Sequence, residues 1–160
     1  MLDEIIKKEK PKKLLDLGTG SAILAIAAAK LFNKNDDIEI IATDIDPIAV
    51  EVARHNIILN GEERLIKTYE AIGFNHEILD KKRDFDLIIA NILANPLMEL
   101  AIAMKEHLHK DGSLILSGIL QEQGEKLLEI YQKHGFTLIK EISLECWVSY
   151  HLKFYNSTAK

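Results

Sequence analysis

The segment KKLLDLGTGSAILAIAAAKLF, residues 12–32, indicates the fold because it joins an apolar strand to an alanine-rich helix through a glycine turn. Leu14, Leu15 and Leu17 form the apolar part of the strand. The alanines and leucines that follow Gly20 suit a helix packed closely against a sheet. A strand, a glycine turn and a helix in this order predict the first unit of a parallel α/β sheet.

The same unit recurs along the chain, so the sequence predicts alternating strands and helices. A second strand covers residues 38–44, and the helix after it has Pro47 in its first turn and Asn60-Gly61 at its end. The later predicted strands cover residues 64–71, 85–90, 113–118, 136–144 and 147–154. The other predicted helices cover residues 2–9, 97–109 and 124–135, and residues 76–84 are predicted as a polar connection.

Strands that alternate with helices predict an α/β fold with a doubly wound, mostly parallel seven-stranded sheet and right-handed crossovers. The last two strands have no helix between them, so we expect one antiparallel strand near the C-terminus. The chain has 160 residues, of which 48% are hydrophobic, and this is enough for one continuous core. We therefore expect a single domain over residues 1–160.

Charge and cysteine content argue against several classes of protein. The chain has 20 basic and 25 acidic residues, and a net charge of -5 gives no electrostatic footprint for direct nucleic-acid binding. Cys146 is the single cysteine and cannot form an internal disulfide. No stretch approaches the ~20 apolar residues of a membrane helix, and the first residues do not resemble a secretory signal. These features predict a cytoplasmic protein without membrane association, and they indicate no oligomeric state.

The glycine turn DLGTGSA, residues 16–22, is the first candidate binding segment, because ligands of doubly wound sheets bind beyond the carboxyl ends of the strands. Its glycines let a ligand approach the backbone, and the helix N-terminus that follows favours a carboxylate or phosphate. The turn does not match the dinucleotide motif G-x-G-x-x-G, since Ile23 occupies the third glycine position. A tight strand-to-helix turn without a ligand is the alternative.

Polar side chains also follow the second and fourth predicted strands. Asp44 can accept both hydroxyls of a ribose, and its distance along the chain from the glycine turn is typical of nucleoside recognition; a solvated turn is the alternative. Asn91 would lie beside the same ligand if the fourth strand neighbours the first, and otherwise it caps a turn. Asp46 and Asn95 each precede a proline and are predicted as caps.

Several motifs occur together in one order: LLDLGTGSAILAIAA, ATDIDPIAVEVARHN, ANILANPL, LSGILQEQ and CWV. Over residues 13–154 the chain resembles the class I S-adenosylmethionine-dependent methyltransferases, which are Rossmann-like, and within them the bacterial PrmA type. The resemblance implies transfer of methyl groups from S-adenosylmethionine to lysine side-chain amines or an N-terminal amine of a protein. The implied partner is a ribosomal protein of the large subunit.

The resemblance also implies site residues. Gly18 would line the methionine part of the cofactor, Asp44 would hold its ribose, and Asn91 would face both the cofactor and the accepting nitrogen. Asn91 is therefore the catalytic candidate. The full set of implied cofactor-binding residues is Asp16, Gly18, Thr19, Gly20, Asp44, Ile45 and Asn91. In-line displacement on a sulfonium mainly requires alignment and exclusion of water, so the implied site needs no metal.

The chain departs from the family pattern in two places. Ala22 stands where the family usually has glycine, which crowds the turn modestly. Only twelve residues precede Lys13, where the family carries an N-terminal substrate-recognition domain and a glycine- and threonine-rich segment of the cofactor site. We therefore expect the catalytic domain alone. The alternatives are an inactive cofactor-binding remnant and a methyltransferase of small-molecule amines.

Four other residues are predicted to have structural roles. His107 and His109 are expected at a solvated helix end and not in a metal site, because no carboxylate or cysteine spacing completes a ligand set. Cys146 is expected to be a small buried strand residue, and Trp147 is expected in the core.

Overall fold

The computed structural model describes residues 1–33 and 36–155. The strands in this part of the chain are β1 (Lys13–Leu17), β2 (Glu39–Asp44), β3 (Ile66–Glu70), β4 (Phe85–Asn91), β5 (Leu108–Leu120), β6 (Phe136–Leu144) and β7 (Trp147–Phe154). The helices are α1 (Leu2–Glu9), α2 (Ile23–Ala29), α3 (Pro47–Leu59), α4 (Glu77–Lys81), α5 (Ala94–Glu99), α6 (Ala101–His107) and α7 (Gln121–Lys133).

The strands form one seven-stranded sheet in the order β3-β2-β1-β4-β5-β7-β6. Strands β1 to β5 pair in parallel, whereas β7 runs antiparallel to both of its neighbours, β5 and β6. This confirms the predicted doubly wound, mostly parallel sheet with one antiparallel strand near the C-terminus. The order reverses at β1, which lies between β2 and β4, so the switch point falls where the glycine turn begins.

Helices cover both faces of the sheet. Successive residues of each central strand point to opposite faces, so each strand contributes side chains to both cores. Leu14 packs with the core of α1, α2 and α3, and its neighbour Leu15 packs with the core of α4 to α7. In β4, Ile89 packs with the first of these cores and Ile88 with the second. We call the first side the α1 face and the second the α7 face. Burial on both faces explains why β4 is uninterruptedly apolar.

Two connections differ from their predictions. Residues 76–84, predicted as a polar connection, contain the short helix α4. His76 caps that helix, since its Nδ1 accepts the N–H of Ile78 at 3.1 Å, and Leu79 is fully buried. The helix after β4 begins at Ala94, and Asn95 lies inside it instead of capping it.

Strand β5 also begins earlier than predicted. The sequence Asp111-Gly112 predicts a turn before a strand at Ser113, but β5 begins at Leu108. Leu108 pairs with Phe85 of β4 and Ser113 pairs with Leu87, so the pairing register shifts between these two pairs. Within the shifted segment, Asp111 has a left-handed φ of 65°. The predicted turn is therefore a bulge inside the strand.

Three further single-residue predictions were wrong. Cys146 is exposed in the turn between β6 and β7, and Trp147 is 47% exposed where β7 begins. Both lie at the end of the outer hairpin, where none of the helices that the structure describes covers the α1 face. His107 is buried instead of solvated, because its ring stacks on Phe74 with the centroids 4.4 Å apart. His109 is exposed, as predicted.

Candidate functional site

The carboxyl ends of β1, β2 and β4 meet at the point where the strand order reverses. The glycine turn of residues 18–20 follows β1, Asp44 ends β2 and Asn91 ends β4. The structure therefore brings together the three segments that the sequence singled out. Ligands of doubly wound sheets bind at this position.

The two turn glycines have different physical roles. Gly18 has a φ of +72°, and a Cβ on it would collide with the side chain of Ile92. Gly20 has a φ of +55°, and nothing lies within 4 Å of the place a Cβ would take. Gly18 therefore lets the loop after β4 pack against the turn, whereas the space over Gly20 is open to a ligand. The backbone N–H groups of Gly18 and Thr19 both donate to the carbonyl of Thr43 at 2.8 Å, which ties the turn to β2.

Asp16 lies beneath the turn and makes its hydrogen bonds inside the protein. Its Oδ2 accepts the hydroxyl of Thr19 at 2.7 Å and the N–H of Ala25 at 3.1 Å. The pKa of Asp16 is raised to about 6, chiefly by burial and in smaller part by the nearby carboxylate of Asp44, against the lowering effect of these two bonds. Asp16 and Thr19 are both buried, so their side chains hold the turn against α2.

Asp44 presents its carboxylate at the mouth of the turn. Its Oδ2 accepts the N–H of Gly20 at 2.8 Å, and its Oδ1 accepts the N–H of Asp46 at 3.1 Å. Each carboxylate oxygen can accept a second hydrogen bond, so both retain capacity for a ligand hydroxyl. The next residue, Ile45, is 62% exposed and offers an apolar surface beside the carboxylate. Asp46 accepts the N–H of Ile48 and caps α3, which confirms its predicted role.

Asn91 is exposed at the end of β4. Its Oδ1 lies 3.1 Å from the place that a Cβ on Gly118 would take, so the amide reaches toward the end of β5. Within residues 1–33 and 36–155, no side-chain hydrogen bond involves this amide, which leaves it free for a ligand. Gly118, with a φ of +77°, was missed in the sequence, although the motif LSGILQEQ contains it.

The arrangement fits a nucleoside cofactor with a polar chain. Open space over Gly20 accommodates close approach to the backbone, Asp44 can accept ribose hydroxyls, and Ile45 can cover a base. The described residues contain no group of three or more histidine, cysteine, aspartate or glutamate side chains that could hold a metal ion. None of the helices described is long and apolar enough to cross a membrane.

Comparison with known protein families decides the relationship. The family described as ribosomal protein L11 methyltransferase (PrmA) matches residues 1–154. The chain belongs to this family. A curated ribosomal protein L11 methyltransferase from Brucella suis is 52% identical over 153 residues, which cover 96% of this chain and 52% of the relative. The chain thus spans about half the length of the curated relatives it matches.

Solved structures agree with the family assignment. The ribosomal protein L11 methylase of Lactobacillus delbrueckii subsp. bulgaricus is 33% identical, with a TM-score of 0.82, over 97% of this chain and 78% of that protein. An RNA methyltransferase of Salinibacter ruber, solved with S-adenosyl-L-homocysteine, is 17% identical with a TM-score of 0.71 over 99% of this chain and 93% of that one. The second similarity shows the shared fold alone. Together the comparisons identify the seven-stranded sheet as a class I methyltransferase fold.

Proposed function

We propose that this PrmA-family chain transfers methyl groups from S-adenosylmethionine to amino groups of a ribosomal protein of the large subunit. Its curated relatives are named ribosomal protein L11 methyltransferases. The observation that carries the proposal is the meeting of open backbone at Gly20, the carboxylate of Asp44 and the free amide of Asn91 at one switch point. The accepting groups in this proposal are lysine side chains or an N-terminal amine.

The proposed binding residues divide the cofactor between them. Gly18 and Gly20 border its methionine part, Asp44 binds the ribose, and Ile45 packs on the base. Asp16 and Thr19 support the cofactor site indirectly, because their mutual hydrogen bond fixes the turn that borders the cofactor. When bound, S-adenosylmethionine supplies a methyl group on a sulfonium, which an amine nitrogen takes up by in-line displacement as the carbon–sulfur bond breaks.

Asn91 is the proposed catalytic residue because it has both a donor and an acceptor and carries no charge. Its carbonyl oxygen can accept an N–H of the incoming amine and so direct the nitrogen lone pair toward the methyl group. A lysine amine with a pKa of about 10.4 must lose a proton before it reacts. The neutral amide of Asn91 repels the protonated amine less than a cationic side chain would, and it can accept a hydrogen bond from the uncharged amine.

Calorimetric titration of S-adenosylmethionine tests the cofactor site. Asp44→Ala should weaken binding by roughly 1.5 to 3 kcal/mol, about ten-fold or more, since it removes a charged acceptor for the ribose hydroxyls. Asp46→Ala is the matched control. It removes the cap of α3 and about 1 kcal/mol of stability, and it should leave the affinity nearly unchanged. Equal affinity of Asp44→Ala and the parent chain would refute the proposed ribose contact.

Methyl transfer is tested with tritium-labelled S-adenosylmethionine and purified ribosomal protein L11. We expect incorporation into amino groups by the parent chain, and a fall of at least about ten-fold with Asn91→Ala at saturating cofactor. A folded chain that binds the cofactor and labels neither the protein nor lysine-bearing peptides would contradict the proposed activity.

A further inference from the structure

The α1 face of the sheet is covered unevenly beyond the candidate site. Helix α1 packs over the half of this face nearer the amino end of β5. There Glu9 accepts the hydroxyl of Ser113 at 2.7 Å, and Glu4 pairs with Lys140 of β6 at 2.7 Å. The other half, toward the carboxyl end of β5, is covered by none of the helices in residues 1–33 and 36–155. Its side chains are therefore available at the edge where the candidate site lies.

The pairing register shows which side chains share this uncovered area. Residues paired across neighbouring strands point to the same face. Asn91 of β4 pairs with Ser117 of β5, and Ser149 of β7 pairs with Ile142 of β6. A hydrogen bond of 2.9 Å between the hydroxyls of Ser117 and Ser149 joins β5 to β7 on this face. A continuous row of side chains thus runs from Asn91 to the outer strand.

The rim of this row is apolar. Leu144 pairs with Trp147, and these side chains are 73% and 47% exposed. We call the whole surface the open face and define it by five residues: Ser117, Ile142, Leu144, Trp147 and Ser149. An aromatic ring and two aliphatic side chains beside paired hydroxyls offer an apolar surface with a few hydrogen-bonding groups.

Charge at the end of the open face favours a cationic partner. Glu145 lies in the turn between Leu144 and Trp147, and Glu122 lies in the first turn of α7. The N–H of Gln121 donates to the carbonyl of Cys146 at 2.9 Å, so the start of α7 is tied to the same turn. Both glutamates are exposed, and neither forms an ion pair with any residue that the structure describes. They are therefore free to attract positive charge.

We propose that the open face binds an extended, lysine-bearing segment of the methyl-accepting protein and directs one lysine amine to Asn91. The inference rests on the proposed function and names the surface that would present its substrate. Neighbouring strands are about 4.8 Å apart, so the row from β4 to the outer strand β6 measures about 14 Å and matches about four extended residues. The aliphatic stem of a neighbouring lysine of the segment packs on Leu144 and Ile142, and its ammonium is attracted to the ring of Trp147.

Trp147 is the single tryptophan of the chain, so its fluorescence reports binding at the open face without any methyl transfer. The probe is a lysine-bearing peptide from ribosomal protein L11, titrated into the purified chain without cofactor. We expect a saturable change in emission, and about ten-fold weaker binding by Leu144→Ser. The same peptide with each lysine replaced by glutamine should also bind about ten-fold more weakly.

Ile102→Ser is the matched control, since Ile102 is an exposed isoleucine of α6 on the opposite side of the sheet. It should bind the peptide as the parent chain does. Equal binding by Leu144→Ser and Ile102→Ser, or a response to n-butylamine but not to the peptide, would overturn the proposal. Calorimetry with S-adenosylmethionine on the same samples keeps the tests apart. Failure of the parent chain to bind the cofactor would refute the proposed function, whereas the fluorescence titration tests only peptide binding at the open face.

Discussion

Ala22 shows how a single residue can conflict with its backbone and still be accommodated. It precedes α2 with a φ of 63°, in the left-handed region that favours glycine. For an L-residue this conformation costs about 1 to 2 kcal/mol. The turn nevertheless keeps its hydrogen bond from Ala22 N–H to the carbonyl of Thr19 at 2.9 Å, and Ala22 is fully buried. The substitution therefore affects stability without displacing the glycine turn.

Ala22→Gly should stabilise the chain by about 0.5 to 1 kcal/mol. Relief of the left-handed strain exceeds the extra flexibility that glycine gives the unfolded chain, which opposes it by about 0.4 to 1 kcal/mol. Urea unfolding measures the difference. Ala28→Gly, inside α2 and equally buried, is the control and should destabilise by about 1 kcal/mol or more. A loss of stability in both variants would mean that Ala22 is not strained.

Residue types predicted local geometry well where the determining contacts lie close in sequence. Asp46 caps α3, and Asn60-Gly61 ends it with Gly61 at a φ of +71°, as the sequence predicted. Gly18 was predicted to line the ligand, and the structure adds a second constraint, since a Cβ there would collide with Ile92, which follows a different strand. Such a contact depends on the strand order and cannot be derived from the turn itself.

At the scale of elements, the loop after β4 is held between two glycines. Ile92 packs against Gly18 on one side, and its carbonyl lies 2.8 Å from the Cβ position of Gly118 on the other. The ends of β1, β4 and β5 can therefore approach closely only because both positions lack a side chain. This contact holds the backbone that carries Asn91.

Gly118→Ala should lower methyl transfer by at least about ten-fold, because the added methyl group displaces Ile92 and Asn91. Gly61→Ala is the matched control. Gly61 has a similar φ of +71°, but nothing lies within 4 Å of its Cβ position, so only backbone strain of about 1 kcal/mol is expected. Steady-state rates and urea unfolding of both variants separate the two effects. Full activity in Gly118→Ala would show that the close approach does not position Asn91.

Hydrophobic pattern predicted the elements of the sheet because each strand and helix repeats its own period along the chain. The exceptions were decided by contacts between elements. Helix α4 forms because His76 caps it and Leu79 enters the core below, although its sequence is mostly polar. Trp147 is exposed because no helix in the described part of the chain covers this end of the outer hairpin, which no local pattern indicates.

At the scale of the whole molecule, the parallel sheet gathers all candidate binding residues at one edge. Strands that run in the same direction deliver their carboxyl ends together, so Asp44 and Asn91 lie at the same edge although they are 47 positions apart in sequence. The opposite half of the α1 face has a buried polar network. There the hydroxyl of Ser113 lies 2.8 Å from Nε2 of His151 and donates to Glu9, while Lys153 pairs with Glu9 at 2.8 Å.

The two buried sites should give the molecule opposing pH responses. Burial raises the pKa of Asp16 to about 6, above its ordinary value of 3.8, so its contribution to stability is fully present below pH 3.8 and is lost as pH rises through about 6. Burial lowers the pKa of His151 from 6.5, with Glu9 opposing the shift and Lys8, Lys140 and Lys153 adding to it. Its contribution is present above pH 6.5 and is lost as pH falls.

Two substitutions separate these responses in urea unfolding between pH 4 and 7.5. Both donors to Asp16 bond its Oδ2, so Asp16→Asn keeps an acceptor there and removes the titration. Relative to the parent chain it should become more stable as pH rises from 4 to 7, by on the order of 1 to 3 kcal/mol. His151→Gln should instead lessen the loss of stability below pH 6.5. Parallel pH profiles for the parent chain and Asp16→Asn would show that the Asp16 carboxyl is ionised at its ordinary pKa, and hence that the two turn hydrogen bonds fully offset the effect of burial.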